Sequence, residues 1–152
     1  MQPRLDVPKV APDVYKAMSA LQACVSQSGL ELSLLELVRT RASQINHCAF
    51  CLDMHTKDAR ARGETEQRLY TLVAWQETPF FTARERAALA WTEALTNVAE
   101  TQVPDDVYDI ARKHFTEKEL VDLSLAIVAI NGWNRLSVAF RKVPGSYQPS
   151  KS

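Results

Sequence analysis

Residues 34–63 read LLELVRTRASQINHCAFCLDMHTKDARARG, and the fold turns on how this stretch divides. Leu34, Leu35, Val38, Ala42 and Ile45 recur at close to helical spacing, which predicts a helix from about Glu31 or Ser33 to Asn46. A second helix follows almost at once, from near Cys48 to Gly63. Glycine suits the left-handed residue after a helix, and Arg60 and Arg62 in the last turn complement its dipole. With only Asn46-His47 between them, the two helices are expected to lie antiparallel.

Outward from this pair the signals stay helical. Pro12 suits the first position of a helix that carries Val14, Met18, Leu21 and Val25 on one stripe and stops near Gly29. On the other side, a helix from about Thr65 to Glu77 is broken by Pro79. Thr82 with Glu85, and Thr116 with Glu119, match capping boxes that open two more helices, and Pro104 opens a shorter one between them. Residues 120–133, LVDLSLAIVAINGW, are apolar nearly all round, the pattern of a central helix.

Glycines number only four, no Asn-Gly or Asp-Gly joins two apolar runs, and period-two alternation is absent, so strands are not expected. The reading is an all-α, single-domain bundle of about six to seven helices over residues 12–142, with an N-terminal arm at 1–11 and a tail at 143–152.

A chain of 152 residues buries roughly two thirds of its unfolded surface and needs no disulfide staples. Lys plus Arg equals Asp plus Glu at 18 each, so no global field selects nucleic acid or an anionic membrane, and a near-zero charge is compatible with self-association. MQPRLDVPKVAPDVYKAM lacks the apolar run of a secretory signal, and nowhere do about 18 apolar residues run together; a cytoplasmic protein without a membrane span is expected. In a reducing compartment a close pair of cysteines points to redox chemistry or a metal rather than to a permanent bridge.

Cys48, Cys51 and His55 stand at i, i+3 and i+7, on one helix face, and the i, i+3 spacing puts the two cysteine Cα atoms about 5 Å apart, within disulfide range. Cys48 falls in the first helical turn, where unpaired amides favour a thiolate, and a protonated His47 would add to this. Glu36 lies ~15 Å back along its helix from Asn46, and His55 ~12 Å up the facing one, so an antiparallel pair brings them within one turn of each other. A Glu-His-Cys proton relay is the expected result.

Other readings of the same residues stay open. Cys48, Cys51 and His55 could hold a structural zinc with Cys24, His47 or His114 as the fourth ligand. Ser33 with Glu36 is itself a capping-box pattern, which would explain Glu36 without catalysis. Cys24 is expected to pack as a small hydrophobe near the first helix's buried stripe. Trp75, Trp91 and Trp133 are expected in the core or an interface, with one of them available to wall a pocket. Lys57, Arg60 and Arg62 read as a solvated face.

The spacing Glu, eleven residues, then C-x-x-C-x-x-x-H is met by Glu36, Cys48, Cys51 and His55. In this the chain resembles the AhpD-like (alkylhydroperoxidase D-like) family of the carboxymuconolactone decarboxylase superfamily. ELVRTRASQINHCAFCLDMH (36–55), TPFFTARERAALAWTEALT (78–96) and AIVAINGWNRLSVAFR (126–141) also look like the family's helical core, so the resemblance covers about residues 30–142. It implies a thiol peroxidase or disulfide reductase acting on alkyl hydroperoxides. In that scheme Cys51 attacks and becomes a sulfenic acid, Cys48 donates a proton and resolves it to a disulfide, and Glu36 and His55 shuttle the proton. It implies no organic or metal cofactor, an external thiol or lipoyl-type reductant, and a homo-oligomer built as a trimer or hexamer. Phe50 is a departure, since some members carry a second histidine there and a phenyl ring relays no proton. The alternative class is a non-catalytic redox sensor or zinc-binding module; lactone decarboxylation rests on the superfamily's name alone.

Overall fold

The helix that begins the decisive stretch is the hub of the molecule, and the other elements are placed by what they cover on it. In the computed structural model, which describes residues 2–149, α1 spans Val7–Val10, α2 Pro12–Ser26, α3 Leu32–Ile45 and α4 Ala49–Ala61. Then come α5 (Glu66–Thr71), which tightens into a 3-10 segment at Leu72–Glu77, and α6 (Ala83–Thr96). The chain closes with α7 (Val98–Thr101), α8 (Asp105–His114) and α9 (Glu117–Ala139). No strand occurs among the described residues, and the fold is the expected all-α single domain.

The helix count exceeds expectation because of two single turns. Pro8 nucleates α1 inside the arm, and Asn97, at φ −101° and ψ 34°, interrupts α6 so that the chain resumes as α7. Both predicted capping boxes form: the side chains of Thr82 and Thr116 accept from the amides of Glu85 and Glu119, whose carboxylates accept from the capping amides in return. Gly63 takes φ +92° just past α4, the conformation that only glycine adopts without strain. The helix predicted over 65–77 loses its regularity at Ala74, four residues before the turn that leads into Pro79.

α3 packs against α4, α6 and α9 at once. Leu34, Leu35 and Val38 enter a core with Trp91, Phe115, Leu123 and Ile127, whereas Leu37 enters a second one with Leu72, Trp75, Phe81 and Leu89. Ala42 joins a third, with Cys48, Cys51 and Ile130. Each fully buried Leu or Ile contributes roughly 1.5–3 kcal/mol, so the helix that fixes the site is also the one most costly to displace.

α9, expected at the centre, is instead half exposed. Leu123, Ile127, Ile130 and Asn134 face inward, but Val121 and Val128 are open to solvent. The central place belongs to α3 because its polar residues Glu36, Arg39, Thr40 and Ser43 are themselves buried. α2 lies on α9 where Met18 meets Gly132, with no room for a larger residue unless the methionine gives way.

The arm and tail both fold back. The Arg4 amide donates to the Phe140 carbonyl at 2.9 Å, and Lys57 Nζ and the Asp53 carboxylate hold Tyr147 and Gly145 of the tail against α4. None of the described helices is long and apolar enough to cross a membrane.

Candidate active site

The turn at Asn46-His47, with His47 in the left-handed region at φ 52°, reverses the chain between α3 and α4. Cys48 then caps α4, and Cys51 stands three residues on, at the end of its first unpaired amides. Both thiols are free and almost wholly buried.

The reversal sets Glu36 against His55, as the length argument expected: His55 Nδ1 lies 2.8 Å from Glu36 Oε2. With a carboxylate facing Nδ1, that nitrogen carries the proton and Nε2 is left free for the cleft. The other oxygen, Glu36 Oε1, accepts from Arg39 Nη1 at 2.6 Å, and Arg62 Nη1 stands 4.0 Å off. The capping reading of Glu36 is overturned. α3 starts at Leu32 with no side-chain cap, and the Glu36 carboxylate points to His55. Burial alone would raise its carboxyl, but the His55 hydrogen bond and the charges of His55 and Arg39 outweigh it and hold it below the ordinary range.

The two thiols share one negative charge. The Cys51 thiol donates toward the Cys48 sulfur and, against the cost of burial, brings Cys48 from 9.0 down to about 7. The same contact, burial and the Cys48 charge push Cys51 up. Ser137 and Asn134 from α9 also favour the anion, with Ser137 Oγ 3.7 Å from Cys51 Sγ. Asn134 is itself fixed, giving a hydrogen bond to Ser43 Oγ at 3.0 Å and receiving one from Asn46 Nδ2 at 2.9 Å.

Cys51 and His55 line a cleft of about 350 Å³ together with Glu36, Arg39, Asp58 and Trp133. Sequence reasoning singled out Cys51, His55 and Glu36, named Trp133 among three tryptophans of which one could wall a pocket, and missed Arg39, Asp58, Asn134 and Ser137. Asn134 and Ser137 stand among Asn131 and Arg135 in the second half of α9, so no local pattern marked them as facing the thiols. Phe50 also lines the cleft, with Lys142 Nζ 3.9 Å from its ring centre. Asp58 accepts from Tyr147 Oη at 2.7 Å; burial and that carboxylate push the phenol up to about 12, so it stays a donor at neutral pH.

Among the described residues, Glu36, His55 and Asp58 bring candidate metal-binding atoms within 4.8 Å of one another, and neither cysteine belongs to that group. The zinc set framed from sequence is therefore not assembled. Cys24 is exposed on α2 rather than packed as expected, and His114 ends α8. Arg39 and Arg62 beside Glu36 also oppose a cation there. Trp75 and Trp91 are core residues, as expected, whereas Trp133 walls the cleft.

Compared with known families, residues 12–94 match the carboxymuconolactone decarboxylase family model. The chain belongs to that family. The uncharacterized protein YdfG of Bacillus subtilis (strain 168) is 45% identical over 139 residues, covering 91% of this chain and 95% of YdfG. The crystal structure of an Agrobacterium tumefaciens protein of unknown function, for which an AhpD antioxidant-defence role has been suggested, superposes with a TM-score of 0.93 at 43% identity, over 96% of this chain and 100% of that one. This family member therefore has the AhpD-like fold almost end to end. A peroxidase-related protein from Ralstonia eutropha JMP134, described as an alkylhydroperoxidase AhpD core, shares the fold with a TM-score of 0.81 at 19% identity, over 92% of this chain and 75% of that one.

Proposed function

We propose that the chain is a thiol-dependent peroxidase that reduces organic hydroperoxides through Cys48 and Cys51. The observation that carries this reading is a thiol pair sharing one charge, with one member, Cys51, opening onto a cleft beside the Glu36–His55 couple. The lowered pKa at Cys48 gives the pair a base that can take the Cys51 proton, and with a positioned imidazole this supplies the thiolate and the proton handling that attack on a peroxide requires.

In this scheme the Cys51 proton passes to Cys48, and the Cys51 sulfur attacks the hydroxyl oxygen of ROOH. An S–O bond forms, the O–O bond breaks, and the departing alkoxide takes the proton from Cys48 to leave as ROH. The Cys48 thiolate then attacks the Cys51 sulfenic acid, forming the disulfide and expelling hydroxide, which becomes water with a proton taken from solvent by His55 Nε2 and passed on to it. Glu36 holds the imidazole in the tautomer that keeps Nε2 toward the cleft. Two electrons from an external dithiol, such as a lipoyl group, regenerate the pair by exchange. No organic or metal cofactor enters these steps. Phe50 carries no proton, so His55 is the imidazole of the cleft that links it to solvent protons.

We also propose that the chain self-associates, a reading supported by its balanced charge and the exposed Val121 and Val128 of α9; sedimentation measures it directly. The catalytic reading is tested by following cumene hydroperoxide consumption with dihydrolipoamide as donor. Turnover that is lost in both Cys51→Ser and Cys48→Ser supports it, and turnover retained in Cys51→Ser rejects Cys51 as the nucleophile.

A further inference from the structure

Beside the thiol cleft lies a second concavity of about 400 Å³, which the fold alone does not explain. Its walls are Leu5, Val7 and Pro8 from the arm on one side and Trp133, Leu136 and Phe140 from the end of α9 on the other. The arm is held there by polar contacts at its back. The Arg4 amide and guanidinium donate to the carbonyls of Phe140 and Ala139 at 2.9 and 3.0 Å, groups that a helix end leaves without partners. The apolar side chains in front are thus kept apart instead of collapsing on one another. Its size is that of a small-molecule site, and water in contact with these apolar walls is displaced favourably by an apolar group.

The concavity is continuous with the reacting groups. Tyr15, Trp133, Ser137 and Lys142 line both it and the thiol cleft. Tyr15 and Trp133 meet edge to face with ring centres 5.4 Å apart and form the waist between the two, while the Ser137 hydroxyl lies 3.7 Å from the Cys51 sulfur. A molecule whose reactive end reaches Cys51 therefore has its remaining bulk directed over Trp133 and under the arm.

We propose that the arm chamber is a specificity subsite for an uncharged aryl group of the substrate, which lies against the Trp133 ring and fills the space between the arm and Leu136. Aromatic walls with an offset or edge-on ring favour such an occupant beyond simple area burial. The inference rests on the peroxidase reading for the identity of the reactive end, but the chamber is testable without turnover.

The experiment compares wild type, Leu136→Trp, which fills the chamber from α9, and a chain lacking residues 2–8, which unroofs it. Each is assayed with cumene hydroperoxide and with hydrogen peroxide, and each is titrated calorimetrically with cumyl alcohol, the unreactive aryl product. Both variants are expected to lose about tenfold in kcat/KM for cumene hydroperoxide, the discrimination that one or two methylenes give in an apolar pocket, with hydrogen peroxide changed less than about twofold. Cumyl alcohol is expected to bind wild type and neither variant. Equal loss for both peroxides, or no loss for either, overturns the chamber. If wild type consumes neither peroxide, the peroxidase reading fails and the titration decides: binding lost in both variants sustains the chamber, and no binding to wild type overturns it. A change of sedimentation in Leu136→Trp, with no binding of cumyl alcohol to wild type, assigns the chamber to a second copy of the chain and likewise overturns the proposal.

Discussion

Glu36 and His55, nineteen residues apart in the chain, meet at 2.8 Å, and the second Glu36 oxygen is taken by Arg39 at 2.6 Å. A carboxylate so enclosed orients the imidazole, neutralises a buried guanidinium and ties α3 to α4. Its two roles, structural and chemical, separate on substitution.

Glu36→Gln keeps the shape but leaves the Arg39 charge without its partner. It is expected to lower stability by about 3 kcal/mol, the usual cost of breaking a buried pair from one side, and peroxide turnover by about 10–100-fold. Chemical denaturation and steady-state rates measure the two effects. The Glu36 carboxyl is depressed in the folded state from an ordinary 4.5. Its stabilisation is therefore fully present above pH 4.5 and is lost as pH falls through the lower folded value. The wild-type curve is expected to fall more steeply there than that of Glu36→Gln.

The shared charge of the thiol pair predicts opposite responses at its two members. Alkylation of Cys48 is expected to titrate at about 7 in the wild type and to move up toward 9.0 in Cys51→Ala, which removes the donor that stabilises the anion. In Cys48→Ala, Cys51 loses the like charge that raises it and is expected to titrate lower than in the wild type. Mass spectrometry of each alkylated peptide against pH reads both shifts.

Much of this was legible because capping and spacing are local. Thr82–Glu85 and Thr116–Glu119 announced their helices, and the two-residue connection at Asn46-His47 was enough to bring His55 to Glu36. What was not legible depended on distant partners. Helix lengths paired Glu36 with His55, but nothing local announced that Arg39 and Ser43 are buried too, because their partners are distant or share the helix face: Arg39 bonds Glu36, and Ser43 bonds Asn134 of α9. α9 looked central because hydropathy does not distinguish a buried valine from the exposed Val121 and Val128. The docking of arm and tail on α9 and α4 rests on backbone carbonyls and single side chains, for which no periodicity exists.

Asn134 is expected to be the costliest polar residue of α9. Asn134→Leu breaks its bonds to buried Ser43 and to part-buried Asn46, which keeps Asn131 as acceptor, for a loss of about 1–3 kcal/mol. Ser137→Ala is expected to change stability by less than about 1 kcal/mol while raising the Cys48 titration midpoint. A combined unfolding and alkylation measurement separates Ser137, which acts on the sulfur alone, from Asn134, which also holds the scaffold.

Thr116→Ala serves as the counterpart remote from the thiols. Removing the cap of α9 is expected to cost about 1 kcal/mol and to leave the thiol titration unchanged, as unfolding and alkylation assays on the same sample would show.

The central claim is that Cys48 and Cys51 form one redox unit. It is tested most directly by differential alkylation of metal-free protein across pH, before and after one equivalent of cumene hydroperoxide, with the cysteine peptides read by mass spectrometry. The account predicts one thiol reactive well below 9.0 before oxidation, and afterwards both protected as a mutual Cys48–Cys51 disulfide while exposed Cys24 still alkylates. Two ordinary thiols that still alkylate fully after peroxide would contradict it.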